Sequence, residues 1–295
     1  MSASSLGIGP RLFVLSQYLA PQQLLTRIVY HLTRIRSRLV RNATIRWFCW
    51  QFGVDTSEAE RPVPDGYEHF NDFFTRRLKP GLRPQPAEPG ALASPCDGVI
   101  SQSGRLEGRR LLQVKGWHYD AAELLGGDTA LAQTFADGTF LTVYLAPFDY
   151  HRVHMPLAGR LVRTAHLPGR LFSVNAVTTA GVPRLFVRNE RLVTVFETEC
   201  GPMAVVLVGA LNVGTIGTVW QAEYRAGHRF PTSRDWRADA TAPELARGDE
   251  LGWFNMGSTV ILLLPAGAAE FSAGLVPGTR LRTGQVVGRL TGAAA

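Results

Sequence analysis

The longest stretch of the chain without a charged side chain runs from Cys200 to Ala222, over 23 residues. A stretch of this length could cross a bilayer as a helix. However, it contains four glycines and Pro202, which weaken helices, and its β-branched residues are interrupted by glycine at regular intervals. It therefore predicts two buried strands, joined near residues 210 to 214, and not a membrane span.

Short runs of the same β type recur after a Pro-rich passage that ends near residue 90. They are GVISQSGRL (98–106), TFLTVYLAP (139–147), RLVTVFETE (191–199), MAVVLVGAL (203–211), GTIGTVWQAEY (214–224), STVILLLP (258–265) and QVVGRL (285–290). We predict an α+β fold that is mostly β. A β-sandwich or barrel-like body, residues 61 to 295, would follow amphipathic helices within residues 1 to 60.

The net charge of +7 is confined to the N-terminal end, because residues 1 to 54 contain seven arginines and no Asp, Glu or Lys. Between residues 24 and 40, apolar and basic side chains fall on opposite sides of a helical repeat. The apolar positions are Leu25, Ile28, Val29, Leu32, Ile35 and Leu39, and the basic positions are Arg27, His31, Arg34, Arg38 and Arg41. We predict one basic amphipathic helix from Leu24 to Val40, and no nucleic-acid partner, since no other segment is basic.

An amphipathic helix usually packs its apolar side on its own domain. Here the polar side carries no acid, and Trp47, Phe48 and Trp50 follow, which favours peripheral association with an anionic membrane. Arg36 falls on the apolar side and would have to reach outward. A mitochondrial transit peptide has the same composition, so that alternative remains open. Three scattered cysteines and the lack of a secretory signal favour a reducing compartment.

Three short motifs contain side chains that can do chemistry: SPCDGVIS with Asp97, DYHRVHMP with His151 and His154, and NMGSTV with Ser258. Each alone is explained as easily by a turn or by structural residues. Together, one Asp, one His and one Ser favour activation of a nucleophile, in which the carboxylate orients the imidazole and the imidazole takes the hydroxyl proton. No further His or Cys stands at ligand spacing, so we expect no metal.

The two histidines are three residues apart, and in a strand such residues point to opposite faces. A bend would be needed for both to serve one site, and Pro147 and Pro156 on either side allow one. The G-x-S-x-G elbow of many serine hydrolases is absent around Ser258, which weakens a hydrolase without excluding it.

The three motifs belong to a longer series, in the order LSQYLAPQQLLTR, FNDFFTRRLKPGLRP, SPCDGVIS, YHRVHMP, GRLFSVN, RNERLVTVFETECGPMAVVLVGA and MGSTVILL. This series resembles that of the bacterial-type phosphatidylserine decarboxylases over nearly the whole chain. The resemblance implies a proenzyme that cuts itself between Gly257 and Ser258, into a β chain (1–257) and an α chain (258–295) that begins with a pyruvoyl group. It also implies that the N-terminal helix stays in the mature enzyme.

The resemblance assigns roles to the candidate residues. Asp97 and His154 would activate Ser258, whose Oγ attacks the Gly257 carbonyl to give an ester that eliminates and then hydrolyses to pyruvoyl and ammonia. The pyruvoyl ketone would form a Schiff base with phosphatidylserine and accept electrons as CO2 leaves. His151 would return a proton, and phosphatidylethanolamine would be released. Met256 stands where the family usually has leucine, a volume-conserving change.

The resemblance further implies a homodimer bound to phosphatidylserine-containing membrane, and we place it peripherally on the cytoplasmic side of the inner membrane. Phe148 and Phe172 are candidate lipid contacts. Two other functions remain open: a membrane-associated serine hydrolase or acyltransferase that keeps Ser258 intact, and a non-catalytic lipid-binding β module.

Overall fold

The computed structural model describes residues 7–114, 116–211, 215–225, 227 and 229–292. Helices begin the chain and strands dominate after residue 90. The helices are α1 (Ile8–Leu19), α2 (Gln22–Leu32), α3 (Arg38–Phe52), α4 (Phe70–Phe74), α5 (Ala121–Leu124), α6 (Thr129–Thr134), α7 (Ala176–Gly181) and α8 (Leu185–Arg188). The strands are β1 (Ala91–Ala93), β2 (Gly98–Arg105), β3 (Arg110–Leu112), β4 (His118–Asp120), β5 (Thr139–Leu145), β6 (Arg152–His154), β7 (Gly159–Leu167), β8 (Arg191–Thr198), β9 (Gly201–Val208), β10 (Thr215–Thr218), β11 (Gln221–Arg225), β12 (Thr232–Asp235), β13 (Glu244–Leu245), β14 (Glu250–Phe254), β15 (Ser258–Leu264), β16 (Ala269–Phe271), β17 (Arg280–Leu281) and β18 (Val286–Leu290).

A nine-stranded sheet forms the centre of the body, in the order β12-β7-β8-β9-β15-β5-β2-β17, with β13 also paired to β7. Strand β15 lies between β9 and β5, antiparallel to both, and all seven of its residues are buried. This position explains why residues 260 to 264 form a continuous apolar run rather than an alternating one. A four-stranded sheet, β11-β10-β14-β6, a three-stranded sheet, β1-β18-β16, and the β3-β4 hairpin complete the strands.

The prediction of an α+β, mostly β fold is confirmed, and every β-type run contains at least one strand. Across the described ranges the sheets do not close into a barrel. The uncharged stretch contains β9 and β10, which belong to different sheets; part of the predicted joint, residues 212 to 214, lies outside the described residues. Among the helices described, none is long and apolar enough to cross a membrane.

The prediction of one helix from Leu24 to Val40 is wrong, because α2 ends at Leu32 and α3 begins at Arg38. Contacts with the body break the helix at this point. The Thr33 carbonyl accepts a hydrogen bond from the Asn71 N–H (2.9 Å), and the Arg34 guanidinium lies over Tyr30 (3.6 Å) and pairs with Glu223. Tertiary contacts therefore override the helical periodicity.

The first two helices bury polar side chains and expose apolar ones. The Gln22 side chain accepts a hydrogen bond from the Leu171 N–H (2.9 Å), and the Gln17 side chain accepts one from the Ser173 N–H (3.1 Å). By contrast, α3 buries Ile45 and Phe48 against the aromatic side chains of α4. The helices thus rest directly on the body, and the predicted domain boundary at residue 60 stays a prediction.

Candidate active site

Ser258 begins β15 opposite Leu145 of β5 and is completely buried. Among the described residues its Oγ has no hydrogen-bond partner, and the same holds for the Oγ1 of Thr259. An unsatisfied buried hydroxyl costs about 1–3 kcal/mol. Packing alone would favour an apolar side chain at position 258, so the hydroxyl is retained there at a cost to stability.

The segment before Ser258 is anchored at one end and strained in the middle. The Asn255 N–H donates to the Thr215 carbonyl (3.1 Å), and the Asn71 amide donates to the Asn255 side-chain oxygen (2.7 Å). Met256 has a φ of 133°, a value that L residues rarely adopt and that costs about 1–3 kcal/mol. A Cβ at Gly257 would meet no atom within 4 Å. Strain therefore lies next to the Gly257–Ser258 bond, and steric fit does not explain the glycine.

His151 is completely buried and stacks on Phe74, with ring centroids 4.1 Å apart. Neither ring nitrogen makes a hydrogen bond of good geometry within the described residues, although backbone groups of Pro147 and Ala146 lie near enough to raise its pKa against the effect of burial. Burial, followed by the nearby positive charge of Arg76, lowers the pKa of His151 to about 3. Its imidazole is therefore neutral at physiological pH.

His154 is held by hydrogen bonds at both ring nitrogens. Its Nδ1 lies 2.8 Å from the Gly248 carbonyl, and its Nε2 lies 3.1 Å from the Tyr150 hydroxyl. Because a carbonyl only accepts, Nδ1 carries the hydrogen, and Nε2 offers its lone pair to the phenol proton. Burial lowers the pKa of His154, and it raises the pKa of Tyr150 to about 12. His154 is thus a neutral base, and its Nε2 lone pair accepts a hydrogen bond from the Tyr150 hydroxyl.

Asp97 is buried and is fully engaged by residues other than the histidines. Its carboxylate accepts hydrogen bonds from Arg83 (2.9 Å) and from the backbone and side chain of Thr283 (2.8 and 2.9 Å). The residue that orients the His154 ring is Gly248, although the negative charge of Asp97 raises the pKa of His154 slightly against the effect of burial. The structure places Asp97 within electrostatic reach of His154 without a direct hydrogen bond.

The two histidines point to different sides of their segment, as strand alternation predicts. Tyr150 and His154 contact each other on one side, whereas His151 meets Phe74 on the other. The His151 carbonyl accepts a hydrogen bond from the Phe254 N–H (3.0 Å), and Ser258 pairs with Leu145. The turn at residues 146 to 150 therefore lies opposite the segment that contains the Gly257–Ser258 bond.

Two cavities lie beside this turn. An apolar cavity of about 470 Å³ lies between the helices and the body, and Gly257 and Met256 line it together with Trp47, Phe48, Phe70 and Phe74. A polar cavity of about 460 Å³ is lined by Asp97 and Tyr150 among others. Gly257, on one side of the bond predicted to break, thus lines the apolar cavity, whereas Ser258, on the other side, is completely buried.

The two predicted lipid contacts do not line the apolar cavity. Phe148 lies at the polar cavity under Arg280, and Phe172 is completely buried against Tyr18, with ring centroids 5.0 Å apart. Their role in lipid binding stays a prediction. In the part of the chain that the structure describes, no three His, Cys, Asp or Glu side chains are grouped so that they could hold a metal ion.

Sequence reasoning missed several residues of the site: Tyr150, Gly248, Arg83 and Thr283. Tyr150 was within reach, since it stands in the motif that contains both histidines. Arg83 also stands in a quoted motif, FNDFFTRRLKPGLRP, whereas Gly248 and Thr283 lie outside every motif. Only the fold brings these three residues to Asp97 and His154.

Comparisons with known proteins all identify phosphatidylserine decarboxylases as similar to this chain. The family model described as phosphatidylserine decarboxylase matches residues 70–289, and a second model, described as PSD, matches residues 12–53. The phosphatidylserine decarboxylase proenzyme of Azotobacter vinelandii is 52% identical over 285 residues, which cover 95% of this chain and 98% of the relative. The proenzyme of Methylococcus capsulatus is 50% identical, covering 94% and 96%. That of Ectopseudomonas mendocina is also 50% identical, covering 94% and 98%.

Proposed function

This chain belongs to the phosphatidylserine decarboxylase family, and from that premise we propose that it cuts itself between Gly257 and Ser258 and then converts phosphatidylserine into phosphatidylethanolamine and CO2. The observation that carries the proposal is the buried hydroxyl of Ser258, which has no hydrogen-bond partner in the described part of the chain and follows Gly257 at the apolar cavity. A hydrolase that keeps its serine needs that serine open to substrate and bonded to a base. Ser258 is neither, which disfavours the alternative.

The cut requires a base for the Ser258 hydroxyl proton, and His154 Nε2 is the proposed acceptor. Tyr150 has to turn away from this nitrogen or pass the proton on before its lone pair is available. The serine oxygen then bonds to the Gly257 carbonyl carbon, and the peptide C–N bond breaks to leave an ester. Loss of the Ser258 α proton expels Gly257 as a carboxylate, and one water releases the nitrogen as ammonia.

The site fits a pyruvoyl group at position 258. Among the described residues the serine side chain makes no hydrogen bond that its conversion would break, and its strand partner, Leu145, is apolar. When present, this group supplies a ketone that takes up the electron pair left by the departing CO2. The chain's part is to exclude water and to hold a proton nearby. Because burial lowers the pKa of His151, its imidazole is neutral at rest and has to take up a proton before it can return one.

Intact mass under denaturing conditions tests the proposal. We expect the active protein to contain a 38-residue fragment, positions 258 to 295, that reacts with a carbonyl reagent and lacks an N-terminal amine. Its partner would end at Gly257 as a free acid. Fully active protein that consists of an uncut 32.3 kDa chain would contradict the proposal.

We also propose that α1, α2 and α3 dock the enzyme peripherally on anionic membrane, on the cytoplasmic side of the inner membrane. Their exposed side chains include Leu12, Leu19, Leu24, Ile28, Leu32, Leu39 and Trp50, while Gln17, Gln22 and Thr26 face the body. This arrangement suits an apolar surface outside the protein. The acid-free first 54 residues suit the anionic cytoplasmic leaflet. The homodimer stays a prediction from the family.

Substituting two exposed residues tests the docking. Leu19 is 76% exposed and Trp50 78% exposed. The double variant Leu19→Glu/Trp50→Glu should bind phosphatidylserine-containing vesicles at least about 10-fold more weakly in sedimentation assays, because apolar burial is replaced by charge. Val276, which is 57% exposed between β16 and β17, provides the control Val276→Glu. If the double variant bound the vesicles as tightly as the Val276→Glu control, docking through the helices would be refuted.

A further inference from the structure

Arg76, just after α4, is a buried cation with free hydrogen-bond donors. Only 3% of its surface is exposed. Its Nη2 donates to the Phe148 carbonyl (3.2 Å), but Nε and Nη1 are buried and have no partner among the described residues. A buried charge without a counter-ion is costly, and buried donors without acceptors add to the cost. The guanidinium lies over the Phe73 ring, 5.2 Å from its centroid, which offsets part of this cost but satisfies neither free N–H. An anion that accepts from both N–H groups would account for this arginine.

The other arginines that line the same polar cavity are already neutralised. Arg83 pairs with Glu58 and Asp97, Arg280 pairs with Asp149, and Arg282 lies 3.7 Å from Glu58. Arg76 forms no ion pair with any carboxylate that the structure describes. The local charges therefore single out one guanidinium as available to a ligand.

The position of Arg76 relates it to the reaction. Phe148, to which it bonds, lies in the turn that directly follows Leu145, the strand partner of Ser258. Phe74, two residues earlier, stacks on His151 and lines the apolar cavity beside Gly257. The Arg76 charge also acts directly on His151. A headgroup whose amine reaches position 258 would thus come close to this guanidinium.

We propose that Arg76 binds the phosphodiester of the phospholipid substrate; this assignment rests on the proposed function. A guanidinium presents parallel N–H groups that match two phosphate oxygens. The other anion of the headgroup, the carboxylate, is a poorer choice, because an ion pair would stabilise the very charge that the reaction discharges as CO2. The phosphate keeps its charge throughout, so its binding orients the amine without opposing the reaction.

The test compares two substrates in the mature enzyme: a short-chain phosphatidylserine, and an O-acyl serine of equal chain length that has the amine and carboxylate but no phosphate. The readout is the ratio of their kcat/KM values, which does not depend on the fraction of active protein. In Arg76→Gln we expect this ratio to fall about 10- to 100-fold, through a higher KM for phosphatidylserine. Arg76→Lys keeps the charge but loses the bidentate geometry, so its ratio of kcat/KM values should lie between those of the wild type and Arg76→Gln.

The matched control is Arg77→Gln, since the neighbouring Arg77 has a side chain that is 64% exposed and pairs with Glu250 (3.5 Å). Arg77→Gln should keep the wild-type ratio of kcat/KM values.

An inhibition experiment distinguishes a headgroup site from a free-phosphate site. Glycerophosphoserine should inhibit the wild type and lose potency in Arg76→Gln. Equal inhibition by inorganic phosphate would point to a free-phosphate site and overturn the headgroup assignment. An unchanged ratio, or equal losses for both substrates, would also overturn it. A variant that stays uncut would instead place Arg76 in self-cleavage, whereas an uncut wild type would refute the proposed function itself.

Discussion

Ser258→Ala is expected to leave the chain whole at 32.3 kDa and to lower phosphatidylserine decarboxylation by at least about a millionfold. Without the hydroxyl there is no nucleophile for the Gly257 carbonyl, so neither the cut nor the electron-accepting ketone can form. The replacement removes a buried oxygen that none of the described residues binds, so the fold should be unharmed or slightly more stable. Intact mass, thermal unfolding and CO2 release measure the three effects.

Thr259 provides the matched control, because its hydroxyl is also buried in β15 and also lacks a hydrogen-bond partner within the ranges that the structure describes. Thr259→Val preserves the shape, and we expect normal cutting and activity. If Ser258→Ala retained measurable turnover as an uncut chain, the reaction would not depend on a group made from Ser258. If both variants were uncut, the requirement would concern packing of β15 rather than the serine oxygen.

The fold could be predicted to a large extent because its main signals are local. Residues 260 to 264 form an unbroken apolar run, and this composition follows directly from the place of β15 between β9 and β5. The break between α2 and α3 could not be predicted in this way. It depends on Asn71 and Glu223, which are distant in sequence and meet Thr33 and Arg34 only after folding.

In the candidate site, too, the local signals could be predicted from the sequence and the long-range contacts could not. Asp97, His151, His154 and Ser258 stand in motifs, and the structure gathers them around the turn at residues 146 to 150. Their hydrogen-bond partners could not be inferred. The expected carboxylate–imidazole bond is replaced by a bond to the Gly248 carbonyl, since Arg83 and Thr283 already occupy Asp97. Which partner a buried polar atom takes depends on the three-dimensional arrangement.

The two histidines should separate self-cleavage from turnover. His154→Ala removes the proposed base for Ser258 and is expected to remain a single chain. His151→Ala should still be cut to completion, yet turn over at least about 100-fold more slowly, because only the later proton return is lost. Mass spectrometry after timed expression reports the first step, and CO2 release by the cut enzyme reports the second.

The pH dependence of cutting tests the same assignment. The proposed base must be neutral, and burial places the pKa of His154 below 6.5. The rate of self-cleavage should therefore still exceed half of its maximum at pH 6.5 and fall further at lower pH, as the imidazole gains a proton. A rate already halved at pH 6.5 would mean an unshifted, exposed base. The assignment of self-cleavage to His154 and of proton return to His151 would be wrong if His154→Ala were cut normally. It would also be wrong if His151→Ala were not cut.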